Sequence, residues 1–266
     1  MDPLHPGGIL YLWNTRLLFA TDQMQTEFHQ HYAATIAIAL EGDLLIETAE
    51  GGKRYEAALV TPNTYHRTLS PGVKMVAFIL DPETLEYYSI VPHNVQKEII
   101  QLDRDRFAKF LPPLWDLYYG QMDASGAYRL QLDLLESLGK AQLPHPTPDP
   151  RILAMANRIR SHLPEPIGWG QLAAEFELSE DRLMRLFKET LGIPLRRYIL
   201  WVRLTEAARF LMEGMNLTDA AHAAGFADSA HFSRTFKENF GFVPSLFFGH
   251  LKSVELLVCK SEESLT

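Results

Sequence analysis

Two short segments of the chain repeat the same residue types and end at a glycine. Arg185-Leu-Phe-Lys-Glu-Thr-Leu-Gly192 returns as Arg234-Thr-Phe-Lys-Glu-Asn-Phe-Gly241, 49 positions later. In and just before the second segment, apolar side chains recur every fourth residue at Phe232, Phe236 and Phe240, which predicts a helix with one buried face. The opposite face carries small, polar or basic residues: Ser229, Ala230, Ser233, Arg234 and Lys237. Guanidinium and ammonium groups on such a face suit contacts with phosphates and base edges, so the chemistry indicated is nucleic-acid recognition.

The residues before each segment predict how the two basic helices are positioned. An alanine-rich run, Asp219 to Ala224, is followed by Gly225, which is typical of a short helix that ends in a tight turn. The upstream copy has the same plan with an offset of 48, so that Ala173 matches Ala221 and one residue has been gained in the second turn. A unit used twice predicts two helix-turn-helix motifs. An ordinary helical hairpin is the alternative for either copy alone.

A longer helix is expected between the two motifs. Pro194 suits its first turn and Gly214 its end. About 19 helical residues span roughly 28 Å. Successive major-groove faces of DNA lie about 34 Å apart. A connector of this length could hold both recognition helices on one side of bent DNA.

Residues 150 to 250 closely resemble the DNA-binding domain of the AraC/XylS transcriptional regulators. The most specific features are Gly225-Phe226, then Phe232-Ser-Arg-x-Phe-Lys237, and Gly241-x-x-Pro244. The resemblance implies a sequence-specific regulator that contacts two successive major grooves and is more often an activator than a repressor. It further implies a homodimer, an interaction with RNA polymerase if the protein activates, and no catalytic activity.

Matching the chain to this family's motif assigns the DNA contacts. Recognition residues are expected at Ser179, Asp181, Arg182, Arg185, Ser229, Ala230, His231, Ser233 and Arg234, and phosphate contacts at Lys188, Arg196 and Lys237. Arg185 and Arg234 are the best candidates for reading guanine, with a solvated surface role as the alternative. Ser179 could instead cap its helix. Asp181 could accept from cytosine or repel phosphate, so we expect the second motif to dominate phosphate anchoring.

The charge of the chain is divided between its two parts. The net charge is −8, but residues 151 to 250 hold 12 Lys and Arg against 11 Asp and Glu, and the remainder holds 13 against 22. The acidity therefore lies outside the predicted DNA-binding domain. A domain charge of only +1 predicts modest non-specific affinity that depends on locally placed basic residues.

Short apolar or β-branched runs separated by turns fill residues 9 to 80, which predicts a small β-barrel or double-sheet roll. Helical spacing follows at residues 94–102, 105–119 and 125–141. The resemblance to the AraC/XylS regulators also implies that these strands form a cupin-like domain. We expect an α+β chain with an effector-binding and dimerisation domain at residues 1–142, a stiff proline-rich linker at 143–150 and an all-α double helix-turn-helix domain at 151–258. Residues 245–257 are expected to be helical.

Two sets of N-terminal residues are candidates for binding. The wide apolar stripe of the helix at 125–141 either packs on the barrel or forms a dimer interface, with Tyr128, Leu132 and Leu135 as the interface residues. His29-x-His31 and His66 resemble the cupin pattern, in which three histidines converge on a divalent metal. Because Thr35 stands near the position of the expected carboxylate, we assign no metal or other cofactor. The histidines either line a ligand pocket or are structural. The predicted effector-binding residues are Arg16, His29, His31, Tyr32, Tyr65 and His66, and the effector could be a sugar, an aromatic acid, a fatty acid or a nucleotide.

Several classes of protein are excluded or less favoured by the composition. One cysteine, Cys259, cannot supply an internal disulfide or the metal-held cysteines of alkyl-transfer repair proteins. The N-terminus lacks a signal-peptide pattern, and no apolar run is long enough to span a membrane, so we expect a cytoplasmic protein. A metal-binding cupin enzyme fused to a DNA-binding module and a regulator controlled by a protein partner are the alternatives.

Overall fold

The computed structural model describes residues 8–91, 97–139, 148–165 and 167–245, and the backbone of 254–258. Two compact units are present, Met1–His145 with Phe236–Thr266, and Pro146–Thr235. The strands are β1 (Gly8–Leu12), β2 (Arg16–Gln25), β3 (Ala34–Ala39), β4 (Leu44–Thr48), β5 (Gly51–Tyr55), β6 (Ala57–Val60), β7 (His66–Leu80), β8 (Ile99–Gln101) and β9 (Val254–Val258). The α-helices are α1 (Leu85–Ile90), α2 (Leu111–Tyr118), α3 (Ala124–Gly139), α4 (Pro150–His162), α5 (Trp169–Glu175), α6 (Glu180–Leu191), α7 (Leu195–Met212), α8 (Leu217–Ala223) and α9 (Ser229–Phe240), and a 3-10 helix spans Arg104–Phe110.

The long strand β7 organises the sheet of the first unit. Its first three residues pair with β4, and its last six pair with both β2 and β3, all antiparallel. Between these stretches lie Pro71 and Gly72, and Gly72 has a φ of 81°. Proline removes a ladder donor, and glycine readily adopts positive φ, so one edge of the strand can change its partner from β4 to β3 at this point, while β2 pairs with residues 69–71 and 75–80 on the other edge. The path of paired strands runs β8-β6-β3-β7-β2-β1-β9.

Alternation along the strands gives the first unit two apolar clusters. In β3, Ile36 and Ile38 join a core made with α1, α2 and α3, whereas Ala37 and Ala39 join a second cluster with β4 and β6. Successive side chains of a strand point to opposite faces, so both faces of β3 are buried. The helices cover one face of the sheet and hold the large aromatic residues Phe107 and Tyr118 in its core.

Residues 237–241 belong to the first unit through contacts with the segment after β2. The Glu27 N–H donates to the Gly241 carbonyl at 2.8 Å, and the Gln30 N–H donates to the Glu238 carbonyl at 3.3 Å. Lys237 Nζ lies 2.8 Å from Glu27 Oε2. Lys237, predicted as a phosphate contact, is therefore also a partner of an acidic side chain within this unit.

The second unit is helical, and its helices begin and end at the residues that favour such positions. Asp149 caps α4 by accepting from the Arg151 N–H, and Pro150 occupies the first turn. Asn216 caps α8 by accepting from the N–H groups of Thr218 and Asp219. Apolar side chains from all of these helices form its core, including Ile152, Leu172, Leu183, Phe187, Tyr198, Val202 and Ala220.

The predicted architecture of strands followed by an all-helical part is confirmed, with differences in detail. Residues 94–102 were expected to be helical, but Ile99–Gln101 is strand β8, paired with β6. The expected helix at 245–257 is wrong at residues 254–257, which belong to strand β9 and pair in parallel with β1. Residues 143–147 of the expected linker, Cys259 and most of the expected last helix lie outside the described residues. Of the described helices, none is long and apolar enough to cross a membrane.

Candidate functional site

The first recognition helix, α6, is held at both ends by polar contacts of its own residues. Ser179 Oγ accepts from the Arg182 N–H at 3.3 Å, which confirms that this serine caps the helix. Gly192 ends it in a left-handed conformation, with its N–H donating to the Lys188 carbonyl. Between these ends the exposed side chains are Glu180, Asp181, Arg182, Arg185, Lys188 and Glu189.

The second recognition helix, α9, repeats this arrangement 49 residues later. Asp228 Oδ1 accepts from the His231 N–H at 2.6 Å, in the role of Ser179. This hydrogen bond lowers the pKa of the Asp228 carboxyl, which is therefore charged at neutral pH. Gly241 ends the helix with a φ of 76°, and its N–H donates to the Lys237 carbonyl.

The predicted contact residues differ in how far their side chains reach solvent. Ala230 and Arg234 are exposed, as are Arg182, Arg185, Lys188 and Arg196. Ser233 is half-buried and donates its hydroxyl to the Ser229 carbonyl at 2.8 Å. His231 is half-buried, with its ring 5.3 Å from that of Phe226. Of the two basic residues Arg234 and Lys237 of α9, Arg234 has an exposed side chain, whereas Lys237 pairs with Glu27.

The acids near α6 are partly engaged elsewhere in the second unit. Glu175 accepts from Arg158 Nε at 3.2 Å, and Arg185 has Glu189 one turn away at 3.9 Å. Both pairs are exposed, and exposed pairs contribute about 0–1 kcal/mol. A phosphate could therefore replace Glu189 as the partner of Arg185 at little cost in stability.

The histidines of the first unit come together because of the backbone register. His29 and His66 face each other as an isolated antiparallel bridge, and each donates its N–H to the other's carbonyl, at 2.9 and 3.0 Å. His31 lies two residues further along, on the same face. The ring centroids of His29 and His66 are 4.4 Å apart. One nitrogen from each of the three rings lies within 4.8 Å of the other two.

Burial keeps these three imidazoles neutral. It lowers the pKa of His29 to about 4, with the neighbouring His66 adding to the effect. Burial also lowers the pKa of His31 well below its usual value, and the other two histidines lower it further. The pKa of His66 is lowered by burial as well. Neutral imidazole is the form that can bind a metal ion.

Of the other predicted effector residues, Arg16 lies away from this cluster. Arg16 pairs with Leu80 at the far end of β7 from His66. Its guanidinium donates to the Tyr128 hydroxyl at 2.7 Å and to Glu86 Oε2 at 2.6 Å, so it is part of a buried network. Tyr65 is 53% exposed. Arg16 therefore does not share a pocket with the histidines, because position within a strand does not reveal which end of the sheet a residue occupies, whereas the effector role of Tyr65 stays a prediction. Tyr32 is half-buried.

The predicted dimer contacts also need correction. Tyr128 and Leu135 are buried in the core of the first unit, where α3 packs against the sheet. Their side chains are therefore not available to a second subunit. Leu132 is half-buried and remains a candidate. The width of the apolar stripe is explained by packing within the unit.

Several residues that position these sites were missed by sequence reasoning. Glu86 completes the Arg16 network together with Tyr128, which was predicted only as an interface residue, and Asp228 caps α9. An acidic residue just before a helical period is a signal for a cap, so Asp228 could have been found. The ring-orienting carbonyls of Glu27, Ala33 and Thr64 carry no sequence signal, because every residue has a carbonyl.

Comparison with known proteins supports the assignment of the helical part. Residues 172–249 match the helix-turn-helix domain family. The transcriptional activator RhaS of Pectobacterium carotovorum subsp. carotovorum (strain PC1) is 36% identical over 94 residues, which cover 35% of this chain and 34% of RhaS. RhaS of Escherichia coli O139:H28 (strain E24377A / ETEC) is 33% identical over 87 residues, which cover 32% and 31%. The matches thus span about a third of the length of these relatives.

Solved structures extend the likeness to both parts of the chain. ToxT from Vibrio cholerae O395 aligns over 89% of this chain and 97% of its own, with a TM-score of 0.59 and 13% identity. ToxT from strain SCE256 bound to an unsaturated fatty acid aligns over 91% and 97%, with a TM-score of 0.55. At this identity the likeness establishes the fold alone.

Residues 172–249 are therefore similar to the helix-turn-helix domain family, in the part of the chain where the sequence predicts such motifs. The strand-rich part followed by the helical part gives the chain the fold of ToxT.

Proposed function

We propose that this protein is a sequence-specific DNA-binding transcriptional activator that binds successive major grooves through α6 and α9. The single observation that carries the proposal is the equivalence of these two helices. Both follow a short helix and a tight turn, both are capped by a side-chain oxygen, and both present an exposed arginine, Arg185 or Arg234, at the same position. Helices arranged in this way enter the major groove and present side chains to base edges.

The activating role rests on relatives. Proteins up to 36% identical over a third of their length carry the name transcriptional activator. An activator of this kind works by contact with RNA polymerase near its DNA site, so we include the polymerase and a second copy of the chain among the proposed partners.

We further propose that the strand-rich unit senses a small molecule. Two structures with the same fold, of ToxT, contain an unsaturated fatty acid or (E)-4-(8-methylnaphthalen-1-yl)but-3-enoic acid. A ligand that binds one arrangement of the protein better than another shifts the population toward it, and in this way could change DNA binding or dimerisation.

The test is selection of DNA by the full-length protein. Genomic fragments retained by the protein are sequenced, and binding of the enriched site is measured by fluorescence anisotropy at fixed salt concentration. We expect one enriched sequence with two half-sites about one helical turn apart. Simultaneous replacement of Arg185 and Arg234 by alanine should reduce binding to the level of non-specific DNA. Failure to enrich any sequence, or an unchanged affinity of the double variant, would contradict the proposal.

A further inference from the structure

The three buried histidines of the first unit are oriented by their backbone surroundings. His29 Nδ1 lies 3.0 Å from the Glu27 carbonyl, His31 Nδ1 lies 2.9 Å from the Ala33 carbonyl, and His66 Nδ1 lies 2.9 Å from the Thr64 carbonyl. A carbonyl oxygen only accepts hydrogen bonds, so in each ring Nδ1 is the nitrogen that carries the proton. The lone pair of each neutral ring is therefore on Nε2.

This pattern is the one that orients metal-binding histidines in proteins. A histidine that coordinates through one nitrogen commonly donates its other ring N–H to a carbonyl or carboxylate, which fixes both the tautomer and the ring orientation. Three rings that each repeat the same hydrogen bond, to the carbonyl of a residue two positions away, present the same nitrogen as a ligand.

The spacing of the rings fits a single small cation. A tetrahedral zinc ion with Zn–N distances of about 2.0–2.1 Å holds its nitrogens about 3.4 Å apart. One nitrogen from each ring already lies within 4.8 Å of the other two. Closing the site needs shifts of about 1 Å in the three side chains, with no change in the register of the His29–His66 bridge.

We propose that His29, His31 and His66 form a binding site for one divalent transition-metal ion, with Zn²⁺ as the reference ion. Three imidazoles select borderline ions such as Zn²⁺ or Co²⁺ over Mg²⁺ and Ca²⁺, which prefer oxygen ligands. Thr35 also lies next to this site, with its Oγ1 3.5 Å from His31 Nε2. The fourth coordination position is left for water or for an anionic ligand, so this is an open site.

Metal binding by this site and the proposed DNA binding can each be measured without the other.

The experiment uses the full-length protein without an affinity tag, first treated with EDTA and then dialysed. Zn²⁺ is titrated by calorimetry, and Co²⁺ by its visible absorption, which distinguishes four-coordinate from hydrated cobalt. We expect one equivalent of either ion per chain and the intense bands of four-coordinate Co²⁺. Mg²⁺ should give no heat of binding.

The key variant is His66→Asn, because the asparagine amide can still donate to the Thr64 carbonyl but cannot supply Nε2. Even loss of an orienting partner costs about 10–100-fold in metal affinity, so loss of a ligand should cost at least about 100-fold. His222→Asn, at an exposed histidine of α8, is the matched control and should bind as the wild type does. Circular dichroism in EDTA verifies that each variant is folded, and His29→Asn replaces His66→Asn if the latter is not.

Two results would overturn the proposal. One is the absence of the four-coordinate Co²⁺ spectrum from the wild type. The other is metal affinity that stays the same in a folded His66→Asn or His29→Asn protein. Loss of metal binding with intact DNA binding leaves the proposed function untouched, and the reverse result leaves the metal site untouched.

Discussion

Glu177 and Gly225 occupy the same position in the two helix-turn-helix motifs, and both have left-handed backbone, with φ of 57° and 84°. The hydrogen bonds around them are equivalent. The N–H of each donates to a carbonyl three residues earlier, and the next N–H donates to the carbonyl of Ala173 or Ala221. The two turns are thus built identically although only one of them has a glycine.

This relationship predicts opposite effects of substitution in the two turns. Gly225→Ala should destabilise the protein by about 2 kcal/mol, because a side chain in left-handed conformation costs about 1–2 kcal/mol and the new Cβ would lie 3.1 Å from Arg203 Nε and 3.3 Å from Pro164 Cβ. Glu177→Gly removes the conformational cost but gives the unfolded chain more freedom, so stability should rise by at most about 1 kcal/mol. Urea unfolding of the full-length variants measures both.

Gly214→Ala is the matched control for Gly225→Ala. Gly214 has a φ of 95°, and a Cβ there would meet nothing within 4 Å. Gly214→Ala should therefore lower the stability only by the conformational cost of placing alanine in left-handed backbone. If Gly225→Ala were no more destabilising than Gly214→Ala, the neighbours of Gly225 would have to move aside freely, and the contact argument would be wrong.

Arg234→Ala is predicted to weaken binding to the selected DNA site by about 1–3 kcal/mol. Arg185→Ala should cost less, because Arg185 shares its surface with Glu180, Asp181 and Glu189. Fluorescence anisotropy at one salt concentration measures each. The control is Lys53→Ala, which removes one positive charge at an exposed position of β5 in the first unit and should have little effect on the DNA affinity. A larger loss for Arg185→Ala than for Arg234→Ala would reverse the expected order of the two motifs.

Asp181→Ala should raise the affinity for non-operator DNA by a few-fold. Asp181 is exposed at the start of α6, where the equivalent residue of α9 is Ala230. Removing a carboxylate near the phosphates removes a repulsion that is strongest at low salt. Binding to random duplexes at two salt concentrations measures the change, with Glu50→Ala in the first unit as the control for total charge. A loss of operator affinity at unchanged non-operator affinity would assign Asp181 to base reading instead.

Gln131→Met is predicted to stabilise the protein by about 1–2 kcal/mol. The side chain of Gln131 is fully buried in α3, and neither of its polar atoms has a hydrogen-bond partner among the described residues. An unsatisfied buried amide costs about 1–3 kcal/mol, and methionine fills a similar volume without that cost. Thermal unfolding compares this variant with Gln121→Met at an exposed position. Destabilisation by Gln131→Met would mean that the amide has a partner in solution.

The helix-turn-helix part was predictable because its signals are local and occur twice. The four-residue apolar period, the turns and the repeat of Arg-x-Phe-Lys-Glu all lie within about 70 residues. Strand β5, by contrast, was missed because its residues Gly51 to Arg54 are exposed and show no apolar alternation. It forms because its backbone pairs with β4. Strand β8 was predicted as helix, since a short apolar run does not distinguish the two without its partner β6.

The candidate sites were predictable only where residues close in the sequence define them. His29 and His31 share a face by spacing alone, and the resemblance added His66, which the register places opposite His29. Arg16 was assigned to the same pocket because sequence gives no information on which end of a sheet a strand residue occupies. The polar network of Arg16, Glu86 and Tyr128 joins positions up to 112 residues apart, and no local pattern indicates it.

The caps of α6 and α9 separate the scaffold of each motif from its reading surface. The turn is closed by backbone groups and the helix start by Ser179 or Asp228, and Ala230 contributes to its cap through its backbone N–H and not through its side chain. The exposed positions can therefore be exchanged between the two helices without rebuilding the turns. The contact residues of one motif could therefore be changed to alter its half-site preference, while the half-site preference of the other motif is kept.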